Sequence, residues 1–379
     1  MQRRAPVGRR QLLGATAFGV ALLGAPFEAI GLASAGYSRR ARALVERHFV
    51  VDMLAPLRLD FSVNPWDWTL TEEERKAFRA GGVDVLHSAL PVSGPNAHAE
   101  ALRYFAGWSG FLARHSDLFL LATDIPAMER ARRDGRIAVV LGVQDSEHFR
   151  SADDVATFYA LGQRCSQLTY NRQNLIGAGS TERVDGGVTD FGAKIIAAMN
   201  RVGMLIDVSH CGDRTTLDAI EMSDGPIAIT HSNCRSLNDN PRLKTDEAIR
   251  KLAAKGGVIG MTGMRNFVRS REPTNVMHIV DHIDHVRKLV GIEHVGVGSD
   301  IDLHGYDDMP PAMNAALRTS YKSSMAFRER MDTDGFDHPR RMFDLVEALV
   351  VRGYSDEEIE AVIGGNFHRL LVAVLRPSV

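Results

Sequence analysis

Apolar, β-rich runs recur along the chain, and segments of helical period separate them. The runs are HFVVDMLA (48–55), GVDVLHSAL (82–90), IAVVLGVQD (137–145), CSQLTYN (165–171), MLIDVSH (204–210), PIAITHS (226–232), GVIGMTG (257–263) and HVGVGSDID (294–302). Their nearly continuous apolar character predicts strands buried on both faces, as in a parallel sheet. Between them, FGAKIIAAMNRVG (191–203) sets Ile195, Ile196 and Met199 on one helical face and ends in glycine. DEAIRKLAAKGG (246–257) begins with two acids and closes on Lys255-Gly256, charges that suit the two ends of a helix. Eight strand–helix units predict an α/β fold, a (β/α)8 TIM-type barrel. Two extra C-terminal helices follow, RRMFDLVEALVVRG (340–353) and SDEEIEAVIGGNFHRLL (355–371), the second opened by a Ser355/Glu358 capping box. A doubly wound open sheet is the alternative, but no G-x-G-x-x-G turn follows an early strand.

Composition changes this picture at one end only. Arg3, Arg4, Arg9 and Arg10 precede an uncharged stretch from Gln11 to Phe27, and Ala33-Ser34-Ala35 then has the small-x-small form of a cleavage site. Residues 1–35 therefore read as an export signal, and Arg9-Arg10-Gln11-Leu12-Leu13 resembles a twin-arginine signal. Residues 36–379 read as one domain, periplasmic or exported, with no membrane span in the mature part. An uncleaved N-terminal anchor is the competing reading. Of 379 residues 45% are hydrophobic, enough for a sizeable core, and the net charge of −2 argues against nucleic acid as a partner. Cys165, Cys211 and Cys234 make no disulfide framework and read as small buried residues, a Cys211–Cys234 bridge being the minor alternative.

A barrel of this kind carries its chemistry at the C-terminal ends of its strands. Asp52, Gln144-Asp145, Tyr170-Asn171, His210, His231, Asp300 and Asp302 stand at those ends. Two adjacent strands closing on histidines suggest one metal held by His210 and His231, able to polarise a carbonyl and acidify a water. Asp300 could then carry the proton to the leaving group.

These residues carry a resemblance. LTYN, GVTDFGAKIIAAMNRVGMLIDVSH, THSNCRSLNDNPRLKTDEAIRKLAAKGGVIGMTG, HVGVGSDID and GGNFHRLL, in this order, are similar to the membrane dipeptidase (renal dipeptidase) family of zinc metallopeptidases, across residues 45–372. The resemblance implies a (β/α)8 barrel with two bridged zinc ions that hydrolyses dipeptides, often with a D-residue second. By position, His210 and His231 match the ligands of the second metal. Asp300 matches the aspartate that binds the first and moves the proton. Arg242 matches the arginine that holds the substrate's carboxylate, for which a guanidinium fork is suited.

The chain departs from that pattern at the first metal. Leu54 and Pro56 stand where the family has a His-x-Asp pair, Gln144 replaces the bridging glutamate, and Tyr170 replaces a histidine that contacts the scissile group. Leucine and proline cannot bind zinc, and a neutral amide offsets no charge between two dications. One zinc ion is therefore expected, with a second only if the site is rebuilt from Asp52, Asp145, Glu147, His148, Glu182 or Asp185. Trp66 and Trp68 are candidates for a pocket wall. The expected function is a metal-dependent, dipeptidase-like hydrolase of small peptide-like substrates with a free carboxylate. It would use Asp300 and Tyr170 at the reacting centre, with Tyr170 and Arg242 on the substrate. A homodimer is in keeping with the resemblance. The alternatives are a changed reaction on the same fold (another amide, an isomerisation or an elimination) or a peptide-binding protein without turnover.

Overall fold

The computed structural model describes residues 36–59 and 67–376, so the leader, Trp66 and the last three residues lie outside it. Among the described residues there are nine strands: β1 Val51–Asp52, β2 Val85–Leu90, β3 Phe119–Leu121, β4 Ile137–Val143, β5 Gln163–Gln167, β6 Leu205–Asp207, β7 Ala228–Ser232, β8 Val258–Met261 and β9 Val295–Val297. All pair in parallel, eight of them in the order β1-β2-β4-β5-β6-β7-β8-β9. The ring closes where Met53 N–H donates to Val297 O at 2.9 Å and Asp300 N–H to Leu54 O at 2.7 Å. This is the predicted barrel of parallel strands and surrounding helices.

One strand went unforeseen. β3 is only Phe-Leu-Leu, too short to show a period, and it pairs with the first three residues of β4. The register of β4 shifts between Leu141 and Gly142, within its pairing to β5. Gly142 is required there, because a Cβ would lie 2.3 Å from Nε2 of His87.

Alternation along the strands separates two cores. Val139, Leu141 and Val143 of β4 join the large cluster under the helices, with Ile206, Ile229, Ile259 and Val297 from other strands. Ala138 and Val140 point the other way, into a cluster with Val51, Val85, Leu205, Ala228 and Val258. Phe367, Leu370 and Leu371 of the last helix, Asn366–Val374, complete that cluster. Parallel strands must be apolar on both faces, which explains the continuous runs in the sequence.

The helices follow the predicted caps. Thr189 and Thr245 cap Asp190–Val202 and Asp246–Ala254, and Gly203 ends the first at φ 79°. The Ser355/Glu358 capping box is present, but the predicted single helix is divided into Asp356–Glu360, a wider turn at Ala361–Gly365, and Asn366–Val374. Gly364 lets that turn pack on Phe49 O, which a Cβ would meet at 1.7 Å. No helix among the described residues is long and apolar enough to cross a membrane. All three cysteines are buried and free, so the alternative Cys211–Cys234 bridge is absent.

His282 fastens a helix to the barrel. Its Nδ1 accepts the Cys234 N–H at 3.1 Å and its Nε2 lies 2.9 Å from Val268 O. Burial pushes its pKa from the ordinary 6.5 down to about 4. Between those values the folded state binds fewer protons than the unfolded chain, so stability is lost as the pH falls. At about 1.4 kcal/mol per pH unit, the loss is on the order of 3 kcal/mol. Urea unfolding at pH 7 and pH 4.5 should show this fall, and His282→Gln should make it shallower. An unchanged difference would remove the assignment.

Candidate active site

The site begins with Asp207, the last residue of β6. Its Oδ1 accepts the N–H and hydroxyl of Ser209 and the N–H of Thr230 at 3.0 Å, and its Oδ2 accepts the Thr230 hydroxyl at 2.7 Å. Only Asp207↔Ala228 is paired between β6 and β7, so the carboxylate replaces ladder bonds that the two strands lack. Because Thr230 gives its proton to Asp207, its oxygen is free to accept from Nδ1 of His231 at 2.8 Å. On the neighbouring strand end, Nδ1 of His210 lies 2.8 Å from Oδ1 of Asn171, an atom that can only accept. Both imidazoles therefore hold their proton on Nδ1.

The consequence lies between the rings. Nε2 of His210 and Nε2 of His231 face each other at 2.9 Å, each with a lone pair. Two lone pairs at this distance repel unless a proton or a metal ion sits between them. Fixing Nδ1 and aiming Nε2 is how proteins orient metal-binding histidines. Burial is the main force keeping both rings neutral, and the Arg242 guanidinium adds to it.

Above His210 opens a cavity of about 690 Å³, lined by Pro56, Gln144, Asp145, Tyr170, Asn171, Arg172, Asp300, Tyr306 and Tyr321 among others. Asp300 lies on this lining, in the left-handed region at φ 62°. Burial pushes its carboxyl up to about 7, against the opposing pull of Arg242 and a 3.3 Å hydrogen bond from the Tyr306 hydroxyl. The ring of Tyr170 stacks on His210, 4.2 Å between centroids at 18°, and its hydroxyl is 2.6 Å from that of Tyr321. One wall is apolar, built from Met264, Phe267, Leu317, Met325, Phe327 and Met331.

Residues 38–320 match the membrane dipeptidase family, peptidase family M19. The chain belongs to that family. A curated relative, dipeptidase verJ of Clonostachys rogersoniana, is 31% identical over 266 residues, 69% of this chain and 62% of its own length. The chain thus aligns with less than two thirds of that relative. An amidohydrolase from Pseudomonas aeruginosa superposes with a TM-score of 0.77 at 24% identity, covering 88% of this chain and 99% of the other. A metallopeptidase from Rhodobacter sphaeroides, liganded with a phosphinate mimic of L-Ala-D-Ala, gives 0.71 at 19%, covering 86% and 99%. These two structures speak to the fold.

Measured against the family, the first metal position does not fit an ion. Leu54 is fully buried, Pro56 is on the cavity wall, and the Gln144 amide donates to Ala89 O at 2.9 Å. Among the described residues no group of three or more His, Cys, Asp or Glu side chains could hold a metal. The two imidazoles fit two donors of a single ion, and among the described residues no carboxylate, Asp300 included, is assembled with them into a larger set.

Four of the six residues considered for rebuilding the site, Asp52, His148, Glu182 and Asp185, are engaged elsewhere. Asp52 pairs with Arg341 at 3.1 Å and accepts the Ser299 hydroxyl at 2.6 Å. Asp185 accepts the N–H groups of Arg214 and Thr215 and the Thr215 hydroxyl, serving the start of helix Asp213–Met222, which has no side-chain cap of its own. Glu182 accepts the Gln173 N–H and lies 3.5 Å from Lys322, off the cavity lining. His148 is buried against Gln163. Only Asp145 and Glu147 reach the cavity. Trp68 stacks on Phe111 in the core, 4.6 Å between centroids, and does not line the main cavity.

Arg242 lies deeper than the resemblance alone suggests. It is fully buried, off the cavity lining, and donates through Nη1 to Ser209 O and through Nη2 to His231 O at 2.9 Å. Its two Nη groups clamp the two histidine-bearing strand ends, while its Nε is buried without a partner. Sequence reasoning also missed Tyr306 and Tyr321, which lie outside the strand ends that it searched.

Asp185→Ala should lower stability by about 1–2 kcal/mol, the scale of a lost helix cap, without changing turnover per folded molecule. Thermal unfolding beside an activity measurement checks this, and loss of activity alone would return Asp185 to the site.

Proposed function

We propose that this chain is a dipeptidase-like hydrolase that cleaves small peptide-like amides, with Asp300 moving the proton. The observation that carries this reading is the buried Asp300 carboxyl on the lining of a cavity large enough for a dipeptide, a lining it shares with His210. A carboxyl with a pKa near 7 can both take and return a proton at neutral pH. In its ionised form Asp300 accepts a proton from water as the oxygen attacks the amide carbon. The protonated carboxyl then gives that proton to the departing amine. The Tyr306 hydroxyl orients the carboxylate, and the stacked Tyr170 keeps water from the outer face of His210.

His210 and His231 are the residues proposed to hold one zinc ion. Such an ion would supply Lewis acidity toward the amide carbonyl and lower the pKa of a bound water. Export is in keeping with the twin-arginine-like leader, and a homodimer with the resemblance to the family.

A second reading rests on Tyr170. Its hydroxyl, 2.6 Å from that of Tyr321, could pass a proton to or from a ligand carbonyl, which suits an isomerisation or elimination. Tyr170→Phe should leave most hydrolysis intact and abolish such a reaction.

Asp300→Asn should reduce kcat/KM at least a hundredfold while leaving the thermal transition near its original place. As a base Asp300 must be ionised, so kcat/KM should rise with pH through about 7 and then level. Wild-type activity in the variant would remove Asp300 from the reaction. Elemental mass spectrometry of the purified full chain should find one zinc per molecule, lost in the His210→Ala, His231→Ala double variant. Zinc retained at stoichiometry in that variant would place the ion elsewhere.

A further inference from the structure

The cavity has two unlike sides, and the order of the strands sets them opposite each other. β4 and β8 stand four places apart in a ring of eight. Asp145 and Glu147, which follow β4, bring carboxylates to the lining. Across the mouth, Met264 and Phe267 follow β8 and are buried on the same lining. Leu317, Met325, Phe327 and Met331, from the long excursion after β9, extend that apolar side. The two groups are one cluster, in which Met264, Phe267, Met325 and Met331 pack together with Leu317 and Phe327 against them. At about 690 Å³ the cavity is of a size that holds drug-sized ligands, so a peptide main chain leaves much of it to side chains.

Charge decides which end of a peptide-like ligand meets the apolar side. The carboxylates of Asp145 and Glu147 suit an ammonium group. The buried positive charge lies on the other side. Arg242, in the loop after β7, has its guanidinium 5.6 Å from the ring centroid of Phe267. Its Nε is buried without a partner, and its charge acts on Asp300 and Tyr170 of the lining. A buried donor left unpaired costs free energy that a ligand acceptor recovers. A zwitterion therefore lies across the mouth with its carboxylate toward Arg242. The residue bearing that carboxylate then sets its side chain beside Phe267 and the methionines.

We propose that this residue of the ligand carries a large apolar side chain, received by the wall that Met264, Phe267, Leu317, Met325, Phe327 and Met331 build. This rests on the dipeptide-like reading of the site and names its substrate class. An apolar side chain removes that wall from water, and the gain grows with the area covered. Thioether chains are unbranched and polarisable, so a wall rich in them adapts to branched and aromatic shapes alike. Leu317 and Phe327 are only half-buried and set the specificity from the outer part of the wall.

The test is hydrolysis by the full chain of alanyl dipeptides whose second residue is alanine, leucine, phenylalanine or glutamate, in both configurations. Leucyl-alanine is the reversed control. In the wild type kcat/KM for alanyl-leucine and alanyl-phenylalanine should exceed that for alanyl-alanine about tenfold or more, the scale of added methylenes in an apolar pocket. Leucyl-alanine should gain nothing. Phe327→Ala should lower the ratio of alanyl-phenylalanine to alanyl-alanine, and Leu317→Lys should raise that of alanyl-glutamate to alanyl-leucine about tenfold. Such ratios do not depend on how much of a variant is folded. Equal rates for alanyl-alanine and alanyl-leucine, or a gain confined to leucyl-alanine, overturn the inference and leave the dipeptide reading standing. A glutamate-to-leucine ratio unmoved by Leu317→Lys overturns it as well. If the wild type hydrolyses none of these dipeptides, the dipeptide reading falls and the inference falls with it.

Discussion

The geometry of this site depends on one carboxylate that never meets the cavity. Asp207 accepts two main-chain N–H groups and two hydroxyls at the ends of β6 and β7. It does so where the strands share a single paired position, and so sets their relative height. Through Thr230 it also decides which nitrogen of His231 carries the proton. Arg242 completes the clamp from below by holding the carbonyls of Ser209 and His231. Two buried charges of this kind are costly to desolvate, and what they contribute is positional definition more than stability.

The barrel was legible because its signal is redundant. Eight apolar runs alternate with helical ones, and caps such as Thr189, Thr245 and Ser355 mark the boundaries independently of periodicity. β3 escaped because three residues cannot display a period. Of the site, His210, His231 and Asp300 were visible as polar residues ending apolar strands. What could not be read was direction. Nothing in NPR says that Arg242 turns inward to carbonyls, and nothing in GAGSTERVDGG says that Asp185 serves a helix start. Loop residues choose among partners distant in sequence, so their type limits their chemistry without fixing their target.

The departures from the family are mutually consistent. Apolar groups at 54 and 56 and an amide at 144 would be poor neighbours for a dication. Asp52 keeps a cationic partner in Arg341, so the charge at the end of β1 is balanced without any ion. The departures fall in one region of the site, and the two imidazoles have hydrogen-bonded support from Asn171 and Thr230.

Asp300 sits at φ 62°, a backbone region that disfavours every side chain with a Cβ and tolerates glycine best. Its carboxyl is also buried where an ionised group is unwelcome. Backbone and side chain therefore both resist the residue found there, and for folding alone a glycine would serve better. The position works as an indicator of history. In a lineage where the pocket has lost its use, this residue should be among the first to drift, and in this chain it is still aspartate.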